Sequence, residues 1–92
     1  MNLINLAARE FRMKPDELVN ESMKAFLDRK LAHIEAEIFL LAKKYGVKDV
    51  FEMDKKVQEG LISEEKSYDD YFALDNLEAE REKVKNILNL LP

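Results

Sequence analysis

The 92-residue chain contains no cysteine, no tryptophan and a single histidine, and it has only two glycines and two prolines. Without cysteine, it can form neither disulfide bonds nor zinc sites with thiolate ligands. No apolar run approaches the roughly 18 residues of a membrane-spanning helix, and no signal peptide is recognisable. We therefore expect a single small domain, residues 1–92, located in the cytoplasm and not in a membrane.

Charge of both signs is abundant but unevenly distributed. Charged residues make up 37% of the chain, and the formal net charge is −4 at pH 7. Residues 61–92 contain eight acidic and only four basic side chains, so the last third carries the net charge. A composition rich in both signs and poor in glycine and proline is typical of long helices. The acidic balance argues against binding to nucleic acid and favours a basic protein partner.

A long segment without an interior glycine or proline lies between Pro15 and Gly46. Proline suits the first turn of a helix, and glycine suits the left-handed residue that follows a helix end. We therefore predict a helix over residues 15–45, about 45 Å long. Its apolar residues recur at alternating intervals of four and three, a heptad pattern that requires a partner helix. These positions are Leu27, Leu31, Ile34, Ile38, Leu41 and Tyr45.

A second heptad pattern predicts a helix over residues 68–91. Ser67 lies three residues before Asp70, an acidic variant of the capping box, and is expected to cap this helix. The heptad positions are Leu74, Leu77, Arg81, Val84, Leu88 and Leu91. Arg81 is the one charged member of this set. It lowers stability unless its side chain reaches solvent or pairs with an acid, for which Glu35 and Glu37 are the candidates.

Two short helices complete the predicted architecture. Residues 2–12 form one helix, capped by Asn2. Asp49 caps another of about ten residues, which ends at Gly60. The predicted fold is all-α, with the order short, long, short, long. The two long helices form an antiparallel coiled-coil-like hairpin because their heptad patterns satisfy each other.

The sequence offers little that would support catalysis or metal binding. His33 has no second histidine or cysteine to complete a metal site, so we interpret it as a surface residue. Arg29 and His33 resemble the Arg and His pair of HEPN ribonucleases, but only three residues separate them, too few for that motif. We expect no enzymatic activity, cofactor or metal. Five acidic residues of the last predicted helix are interpreted as a solvated helix face, and a divalent-cation site is the alternative. They are Asp69, Asp70, Asp75, Glu78 and Glu82.

Two surfaces are predicted to take part in protein–protein contacts. Tyrosines and a phenylalanine interspersed with acids either anchor an interface or cover the turn between helices. The predicted partner-binding residues are Tyr68, Asp69, Asp70, Tyr71, Phe72, Asp75 and Glu78. The first half of the long helix carries more apolar residues than a short helix can cover, which predicts a homodimer. The predicted oligomer interface comprises Val19, Met23, Phe26 and Leu27.

Two segments resemble known families. Residues 8–31 resemble the two helices of ribbon-helix-helix repressors, although the strand that reads DNA in those proteins has no counterpart in the sequence before them. Residues 33–60 and 69–84 resemble small archaeal and bacterial antitoxins of type II toxin–antitoxin pairs. In these, a long helix ends in Lys-Tyr-Gly, a short helix ends in Gly, and an acidic-aromatic segment leads into the last helix.

The antitoxin resemblance implies a function. It implies that the chain binds and neutralises a basic toxin encoded beside it, an RNA-cleaving enzyme. The acidic last third is an independent physical reason to expect a basic partner. The alternative is a structural or regulatory helical homo-oligomer without enzymatic activity, and a DNA-binding repressor is the less favoured third interpretation.

Overall fold

A computed structural model describes residues 2–92, which form four α-helices and no strand. The helices are α1 (Leu3–Glu10), α2 (Pro15–Tyr45), α3 (Val50–Gln58) and α4 (Glu64–Leu90). Together they form a rod that measures 61 × 20 × 18 Å. The predicted all-α fold, with its order of short and long helices, is confirmed. No helix in residues 2–92 has the length and apolar character needed to cross a membrane.

The first two helices begin where local chemistry predicts, and α2 also ends there. The Asn2 side chain accepts a hydrogen bond from the Ile4 N–H at 2.7 Å and so caps α1, which ends two residues earlier than expected. Pro15 occupies the first turn of α2. Gly46 ends this helix with φ of 65°, a left-handed conformation that glycine adopts without steric cost. The long helix over residues 15–45 is confirmed.

The last two helices agree with the prediction except at the start of α4. Asp49 caps α3 by accepting a hydrogen bond from the Glu52 N–H at 2.9 Å. The cap of α4 is Ser63, which accepts from the Lys66 N–H at 3.3 Å, so the predicted cap at Ser67 is wrong. Ser67 lies buried within α4, and its hydroxyl donates to the Ser63 carbonyl at 2.7 Å. Two glutamates after Ser63 favour the earlier start, because acids are stabilising in the first helical turn.

The two long helices pack against each other in antiparallel orientation. Lys30 pairs with Glu80 at 2.8 Å, and Lys44, further along α2, pairs with Asp70, which is earlier in α4, at 2.7 Å. The heptad residues lie between the helices and form one core with residues of α3 and its preceding loop. The buried members are Leu27, Ile34, Ile38, Val47, Met53, Leu74 and Val84. The predicted hairpin of long helices is therefore confirmed.

Arg81 occupies its heptad position in α4 without a charged partner. The side chain is half-buried, and within residues 2–92 its Nε is buried with no hydrogen-bond partner. Within residues 2–92 neither Glu35 nor Glu37 forms an ion pair with it, so the pairing that was the alternative to a solvent-facing side chain is not found. The Glu37 Oε1 atom lies 3.8 Å from the His33 Nε2 atom instead.

Candidate interaction surfaces

Three aromatic rings cluster on one side of α4, near its start. Phe72 meets Tyr68 at 4.9 Å between ring centroids and Tyr71 at 5.4 Å, with interplanar angles of 65° and 87°. Tyr71 is half-buried and packs on the core, whereas Tyr68 and Phe72 are 59% and 47% exposed. Tyr71 therefore covers the turn between helices, as one of the two interpretations expects, while interface contact by the two exposed rings stays a prediction.

The same rings form one wall of a cleft between α3 and α4. Its volume is about 160 Å³. We call it the aromatic cleft and define it by Asp54, Val57, Glu64, Tyr68, Tyr71 and Phe72. The short connection between α3 and α4 places the two helices side by side, which brings Asp54 and Val57 opposite the rings. The contribution of α3 is not visible in the sequence, because it depends on how the two helices face each other.

Several carboxylates lie around the aromatic cleft without an ion-pair partner in the described residues, 2–92. Asp54 and Glu64 line the cleft, and Asp69 and Asp75 are exposed on α4. In residues 2–92 none of these four forms an ion pair; Asp54 accepts one hydrogen bond, from the Gln58 amide at 3.0 Å. The pKa of Tyr71 is raised by burial and by the charges of Asp54 and Asp75. The surface around the cleft is therefore negatively charged as well as aromatic.

Two of the predicted partner-binding acids instead hold the fold together. Asp70 accepts hydrogen bonds from the Lys44 ammonium at 2.7 Å and from the Tyr45 hydroxyl at 2.5 Å, which joins α4 to the end of α2. The Glu78 carboxylate accepts a hydrogen bond from the Val50 N–H at 2.8 Å, which gives a backbone donor in the first turn of α3 its partner. We assign both residues to the contacts between helices, and partner contact stays a prediction for the other five residues: Tyr68, Asp69, Tyr71, Phe72 and Asp75.

The bonds to Asp70 predict a particular dependence of stability on pH. Hydrogen bonds from Lys44 and then Tyr45 lower the pKa of Asp70 below its usual value. A carboxylate with a lowered pKa stabilises the folded state above about pH 4, and this stabilisation is lost as the pH falls through the lowered pKa. Asp70→Asn should therefore reduce the free energy of unfolding at neutral pH, and its deficit relative to wild type should shrink in acid.

Urea denaturation from neutral pH to about pH 3 measures this difference. Asp69→Asn is the matched control, because Asp69 is exposed and forms no ion pair in residues 2–92. Its deficit should be small and should not change with pH. A constant deficit for Asp70→Asn would show that its bonds do not stabilise the fold.

A second surface lies at the opposite end of the rod, where α1 packs on the first half of α2. Val19, Met23 and Phe26 recur at helical spacing and are 37%, 43% and 58% exposed. Leu27 is only 6% exposed and belongs to the core with α4, so we no longer include it in the predicted oligomer interface. We call the exposed apolar surface of these two helices the apolar end. It comprises Leu3, Ile4, Leu6, Phe11, Val19, Met23 and Phe26.

Helix α1, which forms part of the apolar end, buries few of its side chains. Ala8 is the one buried residue of this eight-residue helix. Isolated helices shorter than about 12–15 residues are marginal in water, so α1 depends on contacts outside its own backbone. Exposed apolar surface of this kind is typical of an interface between proteins.

The residues considered for catalysis and metal binding do not converge. The His33 side chain is 80% exposed and lies 3.8 Å from Glu37, next to it on α2. Within residues 2–92 no three His, Asp or Glu side chains are placed so that they could hold a metal ion. Within the described part of the chain, His33 and the acids of α4 therefore form no assembled metal centre.

Comparison with known proteins assigns the chain to a family. The family model described as "Uncharacterized protein MJ0235 family" matches residues 1–91. A protein of Methanocaldococcus jannaschii, described as "Uncharacterized protein MJ0235", is 36% identical over 73 residues, which cover 79% of this chain and 89% of the relative. No solved structure matches the chain. The chain belongs to the MJ0235 family.

Proposed function

We propose that this protein is a cytoplasmic protein-interaction module that binds and neutralises a basic protein encoded beside it, as an antitoxin does. The observation that carries the proposal is the exposed aromatic pair, Tyr68 and Phe72, among carboxylates that pair with no cation in residues 2–92. Aromatic side chains are enriched among the residues that dominate binding energy in interfaces, and unpaired acids attract a basic surface. The proposed partner is a small RNA-cleaving toxin, because a protein that binds RNA presents a basic surface.

The proposed mechanism is masking and not catalysis. The acids steer the basic partner toward the start of α4, and the aromatic side chains then exclude water from the contact. Asp70 and Glu78 fix α4 against α2 and α3, so the surface is in place before the partner arrives. A surface that is already ordered loses less conformational entropy on binding.

Self-association is part of the proposal. The apolar end lies at the other end of the rod from the aromatic cleft, so a homodimer formed there leaves both clefts accessible. Two-fold dimers are the commonest way to bury such a face. The apolar end also favours the second candidate function, a structural or regulatory helical homo-oligomer that has no toxin partner.

Co-expression tests the choice between these functions. The product of the reading frame next to this gene is expressed alone and together with the chain, and growth and co-purification are measured. The proposal predicts that the neighbouring product slows growth, that the chain restores it, and that the two proteins purify as a complex. Self-association without binding to the neighbouring product would refute the antitoxin function and support the homo-oligomer.

A further inference from the structure

We propose that the aromatic cleft holds one arginine side chain of the basic partner. This inference deepens the proposed function and rests on it for the identity of the partner as a protein. The binding chemistry itself depends only on the cleft, so it is testable with a free arginine derivative.

The size of the cleft selects a single side chain. Its volume is about 160 Å³. Pockets for small-molecule ligands and cofactors usually enclose about 300–1,000 Å³, so this cleft is too small for them. A cavity of about 150 Å³ is enough to hold one benzene molecule, which is close in size to a guanidinium group with part of its apolar stem.

The walls of the cleft favour a flat cation with an apolar stem. Tyr68 and Tyr71 both stand edge-to-face against Phe72, so the ring planes meet at steep angles and do not stack. Tyr68 and Phe72 are about half exposed, so both side chains are accessible to a ligand. A guanidinium group is attracted to the face of an aromatic ring, while Val57 offers apolar contact for the stem.

The carboxylates of the cleft complete the argument for arginine. Asp54 reaches the cleft from α3 and Glu64 from α4, and within residues 2–92 neither is paired with a lysine or arginine. A guanidinium group donates hydrogen bonds in its own plane, so it contacts a ring face and a carboxylate at the same time. An ammonium group is a compact and strongly hydrated charge that lacks this planar arrangement, so lysine should bind more weakly.

The test is an NMR titration of the intact protein with N-acetylarginine amide. Resonances of the Tyr68, Tyr71 and Phe72 rings should shift and saturate together. N-acetylcitrulline amide, which is neutral and similar in shape, should bind at least about 5-fold more weakly, because it lacks the cation. N-acetyllysine amide should also bind more weakly than the arginine derivative.

Two double variants separate the cleft from general negative charge. Asp54→Asn with Glu64→Gln should weaken the binding of N-acetylarginine amide about 5-fold or more. The matched control is Asp16→Asn with Glu17→Gln, which removes the same charge from the first turn of α2 at the other end of the rod and should leave binding unchanged. Equal weakening in both variants, equal binding of citrulline or lysine, or the absence of saturable shifts would overturn the inference.

The outcome also distinguishes this inference from the proposed function. If the arginine derivative binds and the neighbouring gene product does not, the partner assignment fails while the cleft stands. If the neighbouring product binds wild type and the Asp54→Asn, Glu64→Gln variant equally well, and the arginine derivative does not bind, the cleft inference fails while the proposed function stands.

Discussion

Replacing Leu74 with alanine is expected to lower the free energy of unfolding by about 3 kcal/mol. Leu74 is fully buried on α4 and packs in the core that joins the two long helices. The substitution removes buried apolar surface and leaves a cavity that the long helices cannot fill without shifting. The free energy of unfolding of a small domain is only about 5–15 kcal/mol, so this loss is a large fraction of the total.

Urea denaturation followed by helical circular dichroism measures this loss. Leu40→Ala is the matched control, because Leu40 lies on α2 but is 65% exposed. Its effect should stay within about 0.5 kcal/mol, apart from the difference in helix propensity. Similar losses for the two variants would mean that the contact between α2 and α4 does not provide the core.

The double variant Met23→Glu, Phe26→Glu is expected to convert a homodimer into monomers. Both side chains lie exposed on one face of α2 at the apolar end. In a two-fold interface each substitution occurs twice, so four carboxylates would lose water without a partner. Burying an unpaired charge costs several kcal/mol, and about 3 kcal/mol already raises a dissociation constant more than 100-fold.

Light scattering at tens of micromolar measures the change. Wild type should have about twice the chain mass of 10.8 kDa, and the double variant should have the mass of one chain. Phe51→Glu is the control, because Phe51 is 84% exposed on α3, far from the apolar end, and its substitution should preserve the dimer. A wild-type protein with the mass of one chain would contradict the predicted homodimer.

The backbone architecture was predictable because the signals that define it are local. Pro15 and Gly46 fix the ends of α2 through their own backbone preferences, and the heptad spacing fixes which faces of the long helices meet. The start of α4 was less predictable, since Ser63 and Ser67 are both suitable caps. The acids after Ser63 favour it, but burial of Ser67 against other parts of the fold is not visible in the local sequence.

The surfaces were only partly predictable because they depend on how separate helices align. Tyr68 and Phe72 were identified from their position among acids, and they are exposed. Asp70 looks like its neighbour Asp69 in the sequence, yet the alignment of α4 with α2 places it on Lys44 and Tyr45. The role of Asp54 depends on how α3 faces α4, and no pattern within either helix contains that information.

The acidic surface around the aromatic cleft has the proposed role of steering and binding a basic partner. This role is tested by the association rate of the neighbouring gene product at increasing salt, for wild type and for a variant with four acids replaced by amides. The substitutions are Asp54→Asn, Glu64→Gln, Asp69→Asn and Asp75→Asn, which leave the contacts of Asp70 and Glu78 with other helices intact.

Association of wild type should be fast and should slow as salt rises, because exposed charges are screened within about 8 Å at physiological ionic strength. The four-amide variant should associate more slowly and depend less on salt, while its helical content stays the same. If the variant had the association rate and salt dependence of wild type, the acidic surface would not steer the partner and would be only a solvated helix face.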